Sequence, residues 1–349
     1  MCLAAAGGKE CVVMMKKLNW GILGTGWIAT EMAEALNRVN GEIYAVCDTT
    51  LEAAKKYAKR FGVQKAYGSA DEMIDDENVD IVYIATPHNL HYRFLVQSLK
   101  AGKHVFCEKA ITVNDSQLEE AVAIAKEKNL VICDGVTLFH MPLFKKLKEI
   151  VDSGVIGDVK MVQVNFGSCK EYDVTNRFFS KELAGGALLD IGVYAMSFAR
   201  YFMKSKPNTV LTTANYFETG VDETSGIILR NPEGQMAVIA LTMRAKQPKR
   251  GVVAGELGYI EVNNYPRGDV ATITYTSDGH VETIELGETA KALDYEVLDM
   301  QDYSLNNGGQ ENLFHTLHYY HMVQQVLHNQ VDLLVQSQLN IFENLMVHF

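Results

Sequence analysis

The sequence predicts an α/β protein: a doubly wound parallel sheet, then an α+β unit built on a large, mostly antiparallel open sheet. Three observations carry that prediction. Up to about residue 137, short apolar runs alternate with helical periods of about ten residues or more, the spacing of repeated βαβ units. Beyond residue 158, strand-like alternation recurs in segments joined by short turns, which suits antiparallel pairing. Between the first apolar run and the first helical stretch lies Gly24-Thr25-Gly26-Trp27-Ile28-Ala29, a glycine-rich turn in a strand-to-helix context.

In the first part, strands are expected over Leu18–Leu23, Ile43–Cys47, Ile81–Ala85, His104–Cys107 and Val131–Cys133. Helical periods fill Glu31–Val39, Leu51–Phe61, His91–Ala101 and Ser116–Lys128, and the acidic piece Asp71–Asn78 reads as a solvated turn of helix. A helix over Pro142–Ser153 and the turn Gly154–Asp158 lead into the second part. Strands follow over Val159–Val164, Val210–Phe217, Gly226–Arg230, Met236–Thr242, Gly251–Ala254, Ile260–Val262, Val270–Tyr275 and Val281–Leu286, with turns such as Asn231-Pro232-Glu233-Gly234 and Ser277-Asp278-Gly279. One helix, Ala187–Met203, interrupts them, and the chain is helical again after Gln310.

A chain of 349 residues is long for one domain. The pattern divides it into 15–137 and 138–349, with a cleft between the two as the place for a ligand, and sets 1–14 aside as an extension before Met14 or Met15. A hydrophobic content of 48% with 21% charge belongs to a soluble globular protein, and a net charge of -11 argues against nucleic acid and anionic membranes as partners. No apolar run approaches the roughly 18 residues of a membrane span. The N-terminus has no basic stretch before its apolar one, and the six cysteines form no Cys-x-x-Cys pair, so a reduced, cytoplasmic protein is expected. An open sheet leaves a face to cover, which points to a homodimer or homotetramer through the second domain.

The glycine-rich turn has the contexts of a dinucleotide-binding fingerprint. Gly24 allows the tight turn, Gly26 lets backbone approach a pyrophosphate, and Ala29 permits close packing at a helix start whose N–H groups suit phosphates. Asp48, 22 residues after Gly26 at the end of the second apolar run, is placed to accept hydrogen bonds from a ribose and to repel a 2′-phosphate. NAD is therefore the expected cofactor, while Lys55 and Lys56 on the next helix keep NADP open. Thr86-Pro87-His88-Asn89 and Glu108-Lys109 lie at the carboxyl ends of successive strands, where doubly wound sheets bind ligands. In Gly185–Tyr194, a helix starting at Ala187 would set Asp190 and Tyr194 one turn apart on one face, with Gly192 leaving room for something to approach. His315, His318 and His321 look like metal ligands but point in different directions on a helix, so no metal is expected.

Four pieces in order, GILGTGWIA, ATPHNLHYRFLVQSLKAGKHVFCEKA, GVIGDV and GGALLDIGVY, resemble the glucose-fructose oxidoreductase / inositol dehydrogenase / MocA-type NAD(P)-dependent oxidoreductases. The resemblance covers nearly the whole chain from Lys17 and is similar in its Asp-Ile-Gly-Val-Tyr form to the dihydrodiol and xylose dehydrogenase branch. It implies a Rossmann domain followed by a substrate domain, and hydride transfer to or from a sugar, polyol or trans-dihydrodiol. It further implies Lys109, Asp190 and Tyr194 as the catalytic set, with Arg177 facing the substrate. Gly24, Thr25, Gly26, Trp27, Ile28, Asp48, Thr86, Pro87, His91, Glu108 and Lys109 would hold the cofactor. One departure stands out: Ala110 where the family usually has proline.

The departing alcohol proton needs a base. Two are open: Tyr194 with a phenol pKa lowered by Lys109, or Lys109 itself if burial lowers its own. The same architecture by resemblance also supports NAD-dependent glycoside hydrolysis and non-catalytic sensing, the latter disfavoured by the presence of Lys109, Asp190 and Tyr194 together.

Overall fold

Six short strands, all but the third, an edge strand, buried along most of their length, make the first sheet: β1 (Asn19–Leu23), β2 (Glu42–Cys47), β3 (Lys65–Tyr67), β4 (Ile81–Ile84), β5 (His104–Cys107) and β6 (Ile132–Asp134). All pair in parallel, in the order β3-β2-β1-β4-β5-β6. Order reverses between β1 and β4, so the carboxyl ends of these two strands frame the crevice where such sheets take ligands. The computed structural model describes residues 17–306 together with 322, 323, 325, 326 and 328–330. The extension expected over 1–14 and the triplet His315, His318 and His321 lie outside the described residues.

The helices between these strands are α1 (Trp27–Arg38), α2 (Leu51–Phe61), α3 (Ala70–Ile74), α4 (His88–Lys100) and α5 (Asp115–Lys128). Local chemistry fixes their ends. Thr50 Oγ1 accepts from the Ala53 N–H at the start of α2, and Gly62 closes it in the left-handed region. Asn114 caps α5 in the same way through the Gln117 N–H. Two helices begin earlier than their apolar period: α1 at Trp27 and α4 at His88. Their first turns stand at the crevice, where Trp27 is 72% exposed, so the hydrophobic stripe starts only later. Strand β3, three residues on the sheet edge, is too short to show a period.

Past α6 (Pro142–Asp152), the second sheet contains β7 (Val159–Gly167), β8 (Thr209–Tyr216), β9 (Asp222–Arg230), β10 (Met236–Thr242), β11 (Gln247–Gly255), β12 (Gly258–Asn263), β13 (Val270–Tyr275) and β14 (Val281–Glu285). Their order is β14-β13-β12-β11-β7-β10-β9-β8, antiparallel except where β7 runs parallel to β10. α7 (Val193–Phe202) covers one face; a Cβ on Gly251 would come within 2.3 Å of the Phe198 ring, so β11 and α7 meet without a side chain between them. α8 (Ala292–Asn306) returns to the first domain, where Arg38 grips Asp294 with Nε and Nη2 at 2.6–3.1 Å. The sequence pattern had left α8 unassigned. It buries Asp294 and Glu296 beside Leu293, Val297 and Met300, and polar residues on the inner face blur the helical period. No helix among the described residues is long and apolar enough to cross a membrane.

Candidate active site in the cleft between the domains

The turn after β1 is shaped for a dinucleotide. Gly24 sits at φ +103°, and a Cβ there would lie 2.6 Å from the carbonyl oxygen of Ala85, so any side chain would push β4 away. Gly26 faces open space instead: a Cβ would touch nothing within 4 Å, which is the clearance a pyrophosphate needs. Gly26 is also the N-cap of α1, and no side chain caps that helix, leaving the dipole end and its first N–H groups to a ligand. Ile28 packs half-buried against the core beneath the turn.

At the end of β2, Asp48 accepts from Thr25 Oγ1, from the Thr49 N–H at 2.6 Å and from Thr49 Oγ1 at 3.0 Å. Burial alone would raise its pKa, but these donors together hold it low, so the carboxylate is fixed and charged at the carboxyl end of β2. At the end of β4, on the far side of β1 from Asp48, the Thr86 hydroxyl is buried without a hydrogen-bond partner in the described structure. A bare glycine cradle, a fixed carboxylate and an unsatisfied hydroxyl along one crevice fit a nicotinamide dinucleotide.

Lys109, at the end of β5, points across to the second domain. Its Nζ donates to the Asp190 carbonyl oxygen at 2.7 Å and to Asp190 Oδ1 at 3.2 Å, and lies 4.8 Å from the centre of the Tyr194 ring. Lys170 and Arg177 complete the setting, each 3.8 Å from an oxygen of Asp190. Burial would raise the pKa of Asp190, but the three cations hold it below its ordinary value. The converse applies to Lys109: burial pulls its pKa down, and the Asp190 carboxylate foremost more than reverses that, so the ammonium stays charged. The structure thus unites Lys109, Asp190, Tyr194 and Arg177 in one place.

Four expectations need correction. Burial pushes the half-buried Tyr194 phenol up to about 12, outweighing the opposite pull of Lys109, so the phenol is not acidified. Lys109 is not a lowered-pKa amine either, because its carboxylate partner is too close. The segment expected to be regular helix opens as a π-helical turn, Leu188–Gly192, before α7. Gly192 serves packing and not a ligand: a Cβ there would come 2.8 Å from Leu188 and from Leu241 of β10.

Two residues expected along the cofactor are buried. Glu108 is buried, accepts from the Tyr83 hydroxyl at 2.7 Å, and fits only because Gly135 has no Cβ. His91 is fully buried, with its ring nitrogens 2.8 Å from the Ala110 carbonyl and 2.7 Å from that of Thr86. It ties the Thr86-Pro87 loop to the residue after Lys109, whose Lys109–Ala110 peptide is cis. Both residues support the site from buried positions. His88 reaches the carbonyl of Ala184 in the other domain at 3.2 Å, and burial lowers its pKa to about 3, so it is a neutral cross-domain contact.

The sequence reading missed Asp222. From β9 it accepts from the Leu188 N–H at 2.8 Å and from Ser225 Oγ at 3.0 Å, anchoring the turn that carries Asp190. Gly186 must be glycine there, since a Cβ would meet Asp222 Oδ1 at 2.2 Å. Nothing in the sequence links a strand aspartate to a helix start 34 residues earlier. Lys170 was missed for the same reason.

A dinucleotide-type crevice facing a lysine–carboxylate–phenol cluster defines a nicotinamide-dependent oxidoreductase of two domains. Residues 18–136 match the oxidoreductase family with NAD-binding Rossmann fold, and 144–261 match the GFO/IDH/MocA C-terminal domain. The chain belongs to this GFO/IDH/MocA family of NAD(P)-dependent oxidoreductases. Over 251 residues it is 34% identical to the trans-1,2-dihydrobenzene-1,2-diol dehydrogenase of Xenopus laevis, covering 71% of this chain and 76% of that protein. The human dehydrogenase of the same name is 31% identical over 251 residues, covering 71% and 75%. Two solved structures share the fold: levoglucosan dehydrogenase with NADH and levoglucosan (TM-score 0.82, 20% identity, 91% of this chain and 98% of that one) and a 3-ketoreductase from Actinomadura kijaniata with NADP and TDP-benzene (0.80, 23%, 90% and 98%).

Proposed function

We propose that this enzyme interconverts a secondary alcohol or hemiacetal and its carbonyl on a sugar, polyol or trans-dihydrodiol, with Lys109, Asp190 and Tyr194 as its reacting set and Arg177 beside the substrate. The observation that carries the reading is the Lys109 ammonium, anchored on Asp190 and set against the Tyr194 ring at the mouth of the dinucleotide crevice. Gly24, Thr25, Gly26, Trp27, Ile28, Asp48, Thr86 and Pro87 would hold the cofactor, whose nicotinamide, when bound, accepts and returns hydride at the substrate carbon.

The chain's own groups handle the proton. An ammonium has three donors, and two of those of Lys109 are engaged by Asp190. The third is available to hold the substrate oxygen. Tyr194, neutral at physiological pH, donates its proton to that oxygen as a carbonyl is reduced. In the oxidative direction the same phenol must first lose its proton, so alcohol oxidation is favoured by alkaline pH. Asp190 keeps Lys109 charged and aimed.

The test is a panel of sugars, polyols and trans-dihydrodiols with NAD or NADP, followed at the nicotinamide absorbance band. Net formation of reduced cofactor with at least one class is expected. Release of free sugar from a chromogenic glycoside without net reduced cofactor would point to hydrolysis instead, and no response from any compound would return the protein to a sensing role.

The fixed Asp48 carboxylate favours a free ribose 2′-hydroxyl, so NADH is expected to bind the apoprotein more tightly than NADPH. Fluorescence titration measures both constants, and tighter NADPH binding would contradict the assignment.

Assembly is proposed from a face of the second sheet that carries exposed apolar side chains among the described residues. There Leu211, Ile228 and Val238 lie side by side across β8, β9 and β10, and all are exposed. An exposed apolar row running out to the β8 edge of the sheet supports a homodimer or homotetramer formed through this face. Light scattering is expected to give a mass of two or four chains, and Leu211→Asp to lower it; a monomeric wild type would refute this. The buried cysteines Cys47, Cys107 and Cys133 are unpaired, which supports a reduced, cytoplasmic setting; recovery of the active protein in an oxidising compartment would argue against it.

A further inference from the structure

The cleft wall is far more basic than the chain around it. The sequence carries a net charge of -11, yet Lys109, Lys170 and Arg177 gather around the carboxylate of Asp190, and Lys249 lies within electrostatic reach of Lys170. Lys109, Lys170 and Arg177 have Asp190 as their partner. Lys249 does not. It rises from β11 over the Phe166 ring, its Nζ 4.8 Å from the ring centre, and Phe166 stacks on Tyr194 with centres 6.1 Å apart. The two stacked rings thus carry one ammonium each, Lys109 on Tyr194 and Lys249 on Phe166.

Lys249 is half-buried, and burial lowers its pKa; the charged groups that act on it are Lys246, Arg267 and Lys170, all cations. Arg267 is paired with Glu31 and Lys170 with Asp190, so no carboxylate is left over for Lys249 among these neighbours; a partly desolvated ammonium in that setting costs free energy, and an anion would lower that cost. Its neighbour Lys170 lies 3.7 Å over the Phe178 ring, where Arg177 also stacks at 4.2 Å. Rings under Lys249, Lys170 and Arg177 hold these cations by their faces, a contact that uses no N–H donor and leaves donors for an incoming anion.

We propose that the substrate carries an anionic group, a carboxylate or a phosphate monoester, remote from the reacting carbon and received by Lys249 with Lys170. The proposal rests on the oxidoreductase reading above and names the substrate class for that site. Carboxylate and phosphate share the charged oxygens these ammonium groups take, and the assay separates them.

The experiment uses three pyranoses that differ at one carbon: D-glucose, D-glucuronate and D-glucose 6-phosphate. With the NAD-loaded enzyme, kcat/KM is expected to be higher for at least one charged member than for glucose. In Lys249→Gln, the ratio of charged over neutral kcat/KM is expected to fall about tenfold through KM, the loss of one charge-assisted contact. Thermal shift of the NADH complex provides a second arm that needs no turnover. Either anion is expected to raise the wild-type Tm more than glucose does, and Lys249→Gln to abolish the difference. Equal losses on charged and neutral sugars, a preference for glucose, or a weakened NADH complex in Lys249→Gln would overturn the proposal, the last by placing Lys249 on the cofactor phosphates. If no compound is turned over but the anion-specific Tm shift persists, the redox reading fails while the anion site stands.

Discussion

Replacing Lys109 by methionine is expected to lower kcat by about 10²- to 10⁴-fold, the usual contribution of a positioned proton-handling group. Methionine keeps the length and apolar stem of the side chain and removes only the charge. Two consequences follow from the geometry. The substrate oxygen loses the one ammonium donor that Asp190 leaves over, and Asp190 loses its direct partner at 3.2 Å. Removing one member of a buried ion pair typically costs about 3–5 kcal/mol, but here Lys170 and Arg177 still flank the carboxylate, so the melting temperature should fall by less than that figure implies. The discriminating result is a collapse of turnover in a protein that still melts cooperatively and still binds NADH. Turnover within a few-fold of wild type would remove Lys109 from the reaction.

Tyr194→Phe is the second large effect, again about 10²- to 10⁴-fold on kcat. The ring contributes packing against Phe166 and underlies the Lys109 ammonium, and phenylalanine keeps both. Only the hydroxyl disappears, so the affinity for NADH should stay as it was while the proton step fails. A variant that loses cofactor affinity in parallel would make Tyr194 a structural support of the crevice instead of a proton donor.

Much of this was legible in the residues. Strand-to-helix context around Gly24–Ala29 located the crevice, and the alternation of Met236–Thr242 and Val270–Tyr275 matched the observed strands to the residue. The resemblance pointed to Lys109, Asp190, Tyr194 and Arg177 across two domains, and the fold brings them together. Other features depend on partners distant in sequence. Tyr194 was expected to be acidified because its cation was visible and its burial was not. Glu108 and His91 are expected as cofactor contacts, and a one-dimensional motif does not show that both are buried in the fold. Asp222, Lys170 and Lys249 lie outside any motif, and only the folded chain shows that they meet Leu188, Asp190 and Phe166. Gly192 read as clearance for a ligand because the sheet strand that fills that space, β10, follows much later in the chain.

The pH dependence of the two directions tests the central claim most directly. With the phenol of Tyr194 raised to about 12 and Lys109 held as an ammonium, both groups carry their protons through neutral pH. The reductive kcat/KM should therefore be flat from about pH 6 to 8, and the oxidative kcat/KM should rise steadily with alkaline pH, with that rise absent in Tyr194→Phe. An oxidative profile that levels off near pH 7 and survives the loss of the Tyr194 hydroxyl would show that another group takes the proton.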